Sequence, residues 1–442
     1  MSMPANRTVL ALPVLVLTLL VVAAGLGSQE PGGRFGKSLS FSVLEDYDKG
    51  ASLSEVAKDF DMMRTLGVTT WRGSWGWDDY EPRPDQYDFA WLHEFAELAA
   101  TEGIQLRPYI GYTAPWAAAP ETSDQDYWNN PPAALSDWTD FVWTLAAAMS
   151  RHPNVLSYEI YNEQNTTPWW NGSARQYRDV LVAGSAAIRR ADADATIVLG
   201  GLVFPDADWL EQMCESQQAV ESFAVIALHS YAETWLPGRV ENFLGRDADD
   251  FRETARSDCG GKPIWINEAG FATYPGRSEQ DQAEWWVRAI ASFAADPQIE
   301  HIGIYEIKDL GESSAAIGDA ANYHLGITSA ERRPKLAFHT IRTLVSLLGQ
   351  GAILIEDTHG RIHGARQDGH LFAHLFRRSD DSRIAILWSN AGEETISLEA
   401  PGSSALEYTL SGVARRYPNF SGGVLRELEL REGRVRIFRI DP

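Results

Sequence analysis

Two stretches decide the fold of this chain: residues 155–165 read VLSYEIYNEQN, and residues 264–270 read IWINEAG. Each is an almost wholly apolar run that leads into an Asn-Glu pair, a pattern typical of a buried strand whose polar end meets a loop. Six further runs of this kind precede residue 345, with amphipathic helical stretches between them. The predicted strands are 39–43, 69–74, 106–112, 155–162, 196–202, 224–231, 264–268 and 301–307.

The spacing of the eight runs predicts a closed (β/α)8 TIM barrel. Their first residues lie about 37 positions apart on average, which leaves room for a helix and two loops in each unit. The alternative, an open doubly wound sheet, needs a glycine-rich phosphate turn after its first strand, and none follows Val43. We therefore predict an α/β fold with the barrel over residues 37–348.

A C-terminal domain of antiparallel β structure is predicted over residues 349–442. Short runs that alternate apolar and polar residues are separated there by turn clusters, as in a β-sandwich. The composition changes at the same place, because 15 of the 16 tryptophans and almost all of the excess negative charge lie before it. Pattern, charge and aromatic content thus indicate the same boundary.

Residues 1–36 are predicted to be a targeting segment and linker rather than part of the fold. Residues 9–26 are almost unbroken Leu, Val and Ala, Arg7 precedes them, and a glycine-rich stretch follows. This pattern indicates either a signal peptide that is cleaved or an N-terminal anchor in the inner membrane. We expect an exported protein that is periplasmic, membrane-anchored or secreted.

Charge and cysteine content exclude several classes of function. The 38 Lys and Arg residues against 61 Asp and Glu residues leave a net charge of -23, which repels a phosphate backbone, so no nucleic acid partner is expected. Two cysteines cannot build a zinc cage, although Cys214 and Cys259 could form one disulfide in an oxidising compartment. No cofactor and no metal site are predicted.

Glu163 and Glu268 stand at the carboxyl ends of strands four and seven, where TIM barrels place their active sites. These strands are three apart in a ring of eight, so we expect the two side chains to face each other across the mouth. Retaining glycosidases hold two carboxyl groups about 5–5.5 Å apart. The pattern predicts Glu163, among polar neighbours, as general acid/base and Glu268 as nucleophile. For either residue alone, the alternative is a strand-end glutamate paired with an arginine.

Four other strand-end side chains are expected to support this pair. Arg72 and Tyr231 could each donate a hydrogen bond to the nucleophile, and His229 faces the same side as Tyr231. Asn162 would bind the 2-hydroxyl of a sugar, a contact that strengthens in the transition state. The alternatives are that Arg72 only neutralises Glu159 and that His229 is a core imidazole.

Tryptophans follow several of the predicted strands on the side of the mouth. Their flat faces suit the C–H faces of sugar rings, and a row of them suggests several sugar subsites. The alternative is that some of them pack loops onto the barrel. The tryptophans concerned are Trp75, Trp77, Trp116, Trp128, Trp169, Trp170 and Trp235.

Further motifs lie around strand two and at the end of the barrel: residues 71–77 (WRGSWGW), 80–81 (YE), 86–88 (QYD), 309–310 (DL), Gly326 and 333–335 (RPK). With the two Asn-Glu pairs, they resemble the clan A glycoside hydrolases of family thirty-nine, the β-xylosidases and α-L-iduronidases. The resemblance is strongest to bacterial exopolysaccharide hydrolases and covers nearly the whole chain. It implies the same roles for Glu163 and Glu268.

Two positions depart from the family pattern. Gln164 stands where the family commonly has proline after the acid/base, which would alter the stiffness of the loop. Clan members often end strand eight with an aromatic residue, but here Tyr305 precedes Glu306 and Lys308. These charged residues put the sugar in doubt, because they could favour a substituted or charged sugar.

The sequence as a whole predicts a retaining O-glycosyl hydrolase that cleaves an extended polysaccharide internally, in the synthesis or turnover of an exopolysaccharide. Its expected partners are the polysaccharide substrate, the inner membrane through residues 9–26, and the polysaccharide-synthesis machinery. The alternatives are a transglycosidase that uses the same two carboxylates, a non-catalytic polysaccharide-binding subunit, and a scaffold that recruits partners through the β domain.

Overall fold

The computed structural model describes residues 39–119, 127–244, 248–311, 319–349, 351–355, 357–366 and 369–442. The hydrophobic segment at residues 9–26, and with it the prediction of a signal peptide or anchor, lies outside these ranges. Within them, no helix combines the length and the hydropathy that a membrane span requires.

The barrel strands coincide with the predicted runs. In chain order they are β1 (Ser40–Leu44), β2 (Thr70–Gly76), β3 (Gln105–Gly111), β4 (Ser157–Ile160), β5 (Thr196–Leu199), β6 (Ile226–Ser230), β7 (Ile264–Ala269) and β8 (Ile299–Tyr305). These parallel strands pair in the order β5-β4-β3-β2-β1-β8-β7-β6. The bridges Val198↔Val225 and Leu202↔Leu228 join the regions of β5 and β6 and close the ring. The predicted (β/α)8 barrel is confirmed.

Helices cover the outside of the barrel. They are α1 (Leu53–Leu66), α2 (Trp77–Tyr80), α3 (Ala90–Thr101), α4 (Leu135–Met149), α5 (Ala174–Ala191), α6 (Ala207–Met213), α7 (Gln217–Ser222), α8 (Asp249–Ser257), α9 (Glu279–Ala294) and α10 (Leu336–Leu348). In α4, apolar residues at helical spacing such as Trp138, Phe141 and Leu145 form the buried face. Helix α5 begins with a capping box between Ser173 and Gln176, which satisfies backbone N–H groups at its start.

The C-terminal residues form two antiparallel sheets, which confirms the predicted β-sandwich. The strands are β9 (Ile353–Leu354), β10 (Ile362–His363), β11 (Leu371–Arg377), β12 (Arg383–Ser389), β13 (Glu393–Glu399), β14 (Ser404–Tyr408), β15 (Ala414–Arg416), β16 (Phe420–Ser421), β17 (Val424–Arg431) and β18 (Arg436–Asp441). One sheet has the order β15-β14-β18-β12-β11-β9 and the other β10-β13-β17-β16.

Strand β12 is buried on both faces, which explains its continuous apolar run. Ile384 and Ile386 belong to the hydrophobic cluster that extends through the barrel, whereas Ala385 and Leu387 belong to the core between the two sheets. The six-stranded sheet therefore packs against the barrel with one face and against the second sheet with the other. Because residues Gly36–Pro442 form one compact unit, the domain boundary at residue 348 stays a prediction.

Cys214 and Cys259 form a disulfide that links the end of α6 to the end of α8. The bond closes a loop of 45 residues, which restricts the unfolded chain. We expect replacement of both cysteines by serine to lower the free energy of unfolding by about 2–4 kcal/mol, measured by urea denaturation. The free energy of unfolding of the wild type should fall by a similar amount when the protein is denatured in the presence of a reductant. A loss below about 0.5 kcal/mol in both cases would contradict a stabilising role.

His374 in β11 provides a second stability prediction. Its ring packs against Trp388, with 5.5 Å between ring centroids, and its Nε2 has no hydrogen-bond partner among the described residues. Burial, helped by the charge of His359, lowers the pKa of His374 from 6.5 to about 4. The unfolded chain therefore takes up a proton first, and the stability associated with neutral His374 is lost as pH falls from about 6.5 to about 4. We expect His374→Phe to reduce this loss by up to about 3 kcal/mol, measured as unfolding free energy at pH 7 and pH 4. If the unfolding free energies of the wild type and of His374→Phe fell by the same amount between pH 7 and pH 4, the prediction would be wrong.

Candidate active site

The chain turns sharply after β4 and presents Glu163 at the mouth of the barrel. Tyr161 and Glu163 both have positive φ angles, 59° and 52°, a conformation that costs a non-glycine residue about 1–3 kcal/mol. The backbone N–H of Glu163 donates to the carbonyl of Gly201 at 2.9 Å, which holds the turn against the chain after β5. Gly201 also makes room for the ring of His229, since a β-carbon at residue 201 would collide with its Nε2.

The structure brings Glu163 and Glu268 together, as the strand-end pattern predicts. Glu268 lies within β7 and is in register with His229 of β6. The two glutamates are 8% and 6% exposed. One side-chain ligand atom each of Glu163, His229 and Glu268 lies within 4.8 Å of the other two, so the two carboxylates approach one another closely.

Three side chains surround the Glu268 carboxylate. Arg72 Nη1 donates to Oε2 at 2.8 Å, the hydroxyl of Tyr231 donates to Oε1, and His229 Nε2 lies 3.5 Å from Oε2. Burial raises the pKa of Glu268, although the positive charges of His229 and Arg72 oppose that rise and the charge of Glu163 adds to it. Glu268 is thus oriented by donors on both oxygens in a poorly solvated position.

Arg72 binds two carboxylates, so it contacts Glu268 as expected and does not neutralise Glu159 alone. Its Nε and Nη2 donate to the two oxygens of Glu159 at 2.8 and 2.9 Å, while Nη1 donates to Glu268. Nη2 also donates to Asn162 Oδ1 at 2.9 Å, so the oxygen of this amide is engaged by the protein and its NH₂ group remains as the donor. Burial would lower the pKa of Arg72, but Glu159 and Glu268 raise it well above its usual value. Its charge is therefore fixed.

His229 is fully buried between the two glutamates. Its Nδ1 lies 2.7 Å from Glu163 Oε1, on the side opposite its contact with Glu268. Burial lowers its pKa, but the negative charges of Glu268 and Glu163 outweigh burial and leave the pKa above the usual value. His229 is therefore a bridge between the two carboxylates and not an isolated core imidazole.

Within the described part of the chain, the cluster of Glu163, His229 and Glu268 is the group of side chains that could hold a metal ion. A bound cation would lie next to the Arg72 guanidinium, which is 2.8 Å from Glu268. That charge repels a cation, and it also occupies a lone pair that a metal would need. The arrangement suits a pair of carboxylates that exchange protons and bonds with a substrate better than it suits a metal centre.

Aromatic residues that are half-buried or exposed lie near the ends of β3, β4 and β6. Trp169 packs edge-on against Trp128, and Tyr112 contacts both. On the other side, Trp235 is 40% exposed and lies 4.6 Å from Tyr231 between ring centroids. Trp128, Trp169 and Trp235 therefore keep part of their surface open to a ligand, and the sugar subsites stay a prediction. Trp116, also predicted to line a subsite, is half-buried like Trp128 and Trp169.

Trp116 donates from its indole N–H to the carbonyl of Glu81 and packs edge-on against Trp77. Three predicted subsite tryptophans prove to be wrong, since Trp75, Trp77 and Trp170 are 1%, 0% and 3% exposed. Trp75 lies within β2 and points into the core, and Trp77 begins α2 and stacks on Phe141. Neither side chain presents a face to a ligand.

Trp170 is covered by Tyr161 and Tyr177, both packed against it edge-on. Its indole N–H donates to the backbone carbonyl of Ser173 at the start of α5. It therefore holds the loop after β4 against the barrel, as expected for a tryptophan that packs a loop rather than binding a sugar.

Lys308 does not face a substrate, contrary to the expectation that it could favour a charged sugar. Its ammonium group binds the carboxylates of Glu45 and Asp59, the latter at 2.9 Å. Glu306 is 2% exposed, and burial followed by the charge of Glu45 raises its pKa well above the usual value. Lys308 thus belongs to an ion-pair network with Glu45 and Asp59, and Glu306 is buried near it.

The sequence interpretation missed several residues of the mouth: Asp46 after β1, Tyr109 and Tyr112 at the end of β3, Asn267 of β7, and Tyr305 at the end of β8. Asn267 donates to Glu159 at 2.8 Å and so joins the network around Arg72. Tyr305 packs edge-on against Tyr231, with ring centroids 5.8 Å apart. Position at a strand end is the signal that could have found all of them.

A (β/α)8 barrel with two facing carboxylates at the ends of its fourth and seventh strands defines the class of this protein: it is an O-glycosyl hydrolase of clan A. The family model of cellulase, glycosyl hydrolase family 5, matches residues 37–304. Since this is more than half of the chain, the protein belongs to that family. No curated protein sequence matches the chain.

Solved structures of other glycoside hydrolases share the fold. A family 39 glycoside hydrolase from Bacteroides cellulosilyticus WH2 superposes with a TM-score of 0.69 at 16% identity and covers 92% of this chain and 82% of its own. A GH30 endoxylanase from Clostridium papyrosolvens C71 has a TM-score of 0.64 at 11% identity, with 92% and 98% covered. A monomeric β-xylosidase from Caulobacter crescentus CB15 has a TM-score of 0.64 at 15% identity, with 92% and 97% covered. At these identities the likeness concerns the fold alone, and the resemblance to family thirty-nine is supported at the level of clan A.

Proposed function

We propose that the protein is a retaining glycoside hydrolase in which Glu163 is the acid/base and Glu268 the nucleophile. The observation that carries the proposal is the approach of the two carboxylates, with ligand atoms within 4.8 Å. Retaining enzymes hold the carboxyl groups about 5–5.5 Å apart, whereas inverting enzymes leave about 6.5–9.5 Å for a water molecule. The short separation favours direct attack on the sugar.

The contacts of the two glutamates support their different roles. Glu268 receives hydrogen bonds from Arg72 and Tyr231, which stabilise the carboxylate form that attacks. In the first step its oxygen bonds to the anomeric carbon while Glu163 gives its proton to the departing oxygen. In the second step Glu163, now a carboxylate, takes a proton from water, whose oxygen displaces Glu268. Two displacements preserve the anomeric configuration.

His229 fits this cycle because it contacts both carboxylates. Before the first step Glu268 carries the negative charge and Glu163 is protonated. In the glycosyl-enzyme Glu268 is a neutral ester and Glu163 carries the charge. The imidazole therefore meets one negative charge in both states, and it can remain in one protonation state throughout turnover.

We place the protein outside the cytoplasm and give it an exopolysaccharide as substrate. Disulfides persist in oxidising compartments, and the Cys214–Cys259 bond supports export through residues 9–26, cleaved or kept as an inner-membrane anchor. Aromatic residues on both sides of the carboxylates, Trp128 and Trp169 on one and Trp235 on the other, support internal cleavage of an extended chain. The motif resemblance supports a hydrolase of the PslG type that acts with the polysaccharide-synthesis machinery.

The products formed from the organism's own extracellular polymer test this proposal. A ladder of oligosaccharides with retained anomeric configuration, followed by chromatography and NMR, is expected. Monosaccharide as the sole product would overturn internal cleavage, and inverted configuration would overturn the mechanism. Products longer than the substrate would instead indicate the transglycosidase, and binding without turnover would indicate the binding subunit.

A further inference from the structure

Asp46 places a third carboxylate at the mouth of the barrel. It lies two residues after the end of β1 and is exposed, in contrast to Glu45 beside it, which is 4% exposed. Its Oδ1 accepts hydrogen bonds from the backbone N–H of Ser74 at 2.7 Å and from the hydroxyl of Tyr109 at 3.0 Å. The side chain is thus held in one orientation although it faces solvent.

Tyr109 connects Asp46 to the catalytic pair. The Tyr109 ring lies under the Arg72 guanidinium, 4.6 Å from its centroid, and Arg72 donates to Glu268 at 2.8 Å. A single aromatic ring therefore separates Asp46 from the group that holds Glu268. Burial raises the pKa of Tyr112, and the charges of Asp46, Glu163 and Glu268 raise it further. The charges of Asp46 and of the two glutamates thus act on the same tyrosine.

Asp46 keeps a free acceptor site. A carboxylate has about four lone-pair positions, and among the described residues Oδ2 accepts from Tyr109 alone, at 2.9 Å. One lone-pair position of Oδ2 is therefore left without a donor among the described residues, and Asp46 is exposed. A hydroxyl or amino group of a bound sugar is the kind of donor that fits there.

The cations near this wall are already paired. Arg72 binds Glu159 through two nitrogens and Glu268 through a third, and the Lys308 ammonium binds Glu45 and Asp59. Neither has a spare charge for an acidic ligand. Asp46 and the Glu268 carboxylate thus leave a negative mouth, in which a sugar carboxylate would be repelled.

We propose that Asp46 binds the substrate through a hydroxyl or amino group next to the bond that is cleaved, and that it selects neutral or amino sugars over uronic acids. The inference rests on the proposed function, because it assigns a specificity to the same site. The substrate class follows from the charges at the mouth of the barrel.

The test compares wild type, Asp46→Asn and Asp48→Asn on β-1,4-linked hexamers of glucose, mannose, xylose and glucosamine, and on the glucose hexamer oxidised to glucuronic acid at C6. Asp48 is a matched control, because it is exposed, lies two residues away and loses the same charge. The readout is kcat/KM for each hexamer. Thermal unfolding of both variants shows that they are folded.

The wild type is expected to cleave at least one uncharged or amino hexamer and to disfavour the glucuronic acid hexamer about 10-fold or more. Asp46→Asn should lower kcat/KM on the preferred hexamer about 10–100-fold and reduce the discrimination against glucuronic acid about 10-fold, whereas Asp48→Asn should change both less than about 2-fold. Equal effects of the two variants, or a wild type that prefers the glucuronic acid hexamer, would overturn the inference and leave the hydrolase intact. No cleavage of any hexamer by the wild type would also overturn the inference, whereas the hydrolase itself is tested separately by cleavage of the organism's own extracellular polymer.

Discussion

Glu268→Gln is expected to lower kcat by about 10⁴-fold or more, because the amide cannot form the ester that carries the first displacement. Glutamine keeps the size of the side chain, and its carbonyl oxygen can still accept from Arg72 or Tyr231, the present donors to Glu268. Folding and oligosaccharide binding should therefore survive. The measurements are the release of reducing ends and isothermal titration calorimetry with an oligosaccharide of the preferred polymer.

Glu94→Gln is the control for this experiment. Glu94 lies on the exposed face of α3, so the substitution removes the same charge without touching the site. It should retain wild-type kcat within about 2-fold. If Glu268→Gln kept more than a tenth of wild-type turnover, Glu268 would not be the nucleophile. Because burial raises the pKa of Glu268 and the attacking form is ionised, wild-type activity should also fall as pH decreases through that raised pKa.

The barrel could be predicted from the sequence because each strand is a local feature. A buried parallel strand is apolar over most of its length, and a polar residue marks its end. Glu163 and Glu268 could be found by the same signal, since both follow an apolar run and an asparagine. Their convergence then followed from the symmetry of a ring of eight strands.

The directions of the tryptophan side chains could not be predicted from local sequence patterns. The sequence places Trp77 after strand two on the side of the mouth, but a single turn of helix, Trp77–Tyr80, follows β2 directly and the indole is buried in the core. No local pattern distinguishes this turn from a loop. Trp75 lies inside β2, so its direction depends on which face of the strand meets the helices, a property of the tertiary structure.

The ion-pair networks could not be predicted from the sequence either. The sequence leaves Lys308 available to a substrate because its partners, Glu45 just after β1 and Asp59 in α1, lie more than 240 positions earlier in the chain. Asp46 was missed for a related reason. Two acidic residues follow β1 in succession, and the structure turns Glu45 toward the interior and Asp46 toward the mouth.

Glu163→Gln is expected to have an effect that depends on the leaving group. On a polysaccharide, where the departing oxygen needs a proton, kcat should fall about 10²–10⁴-fold. On a 2,4-dinitrophenyl glycoside the departing group needs no proton, so the first step should stay close to the wild-type rate. The second step lacks its general base, so a burst of dinitrophenolate should precede a slow steady state. Stopped-flow absorbance measures both phases.

The comparison of the two substrates distinguishes this role from a structural one. A proton donor is needed only where the departing oxygen must be protonated, so the variant should lose rate on the polysaccharide and keep the burst on the activated glycoside. A structural role would lower the rates on both substrates by the same factor. His229 contacts Glu163 at 2.7 Å, so a general disturbance would also reach Glu268 through this imidazole and remove the burst. The burst on the activated glycoside, together with the loss of rate on the polysaccharide, therefore identifies Glu163 as the proton donor.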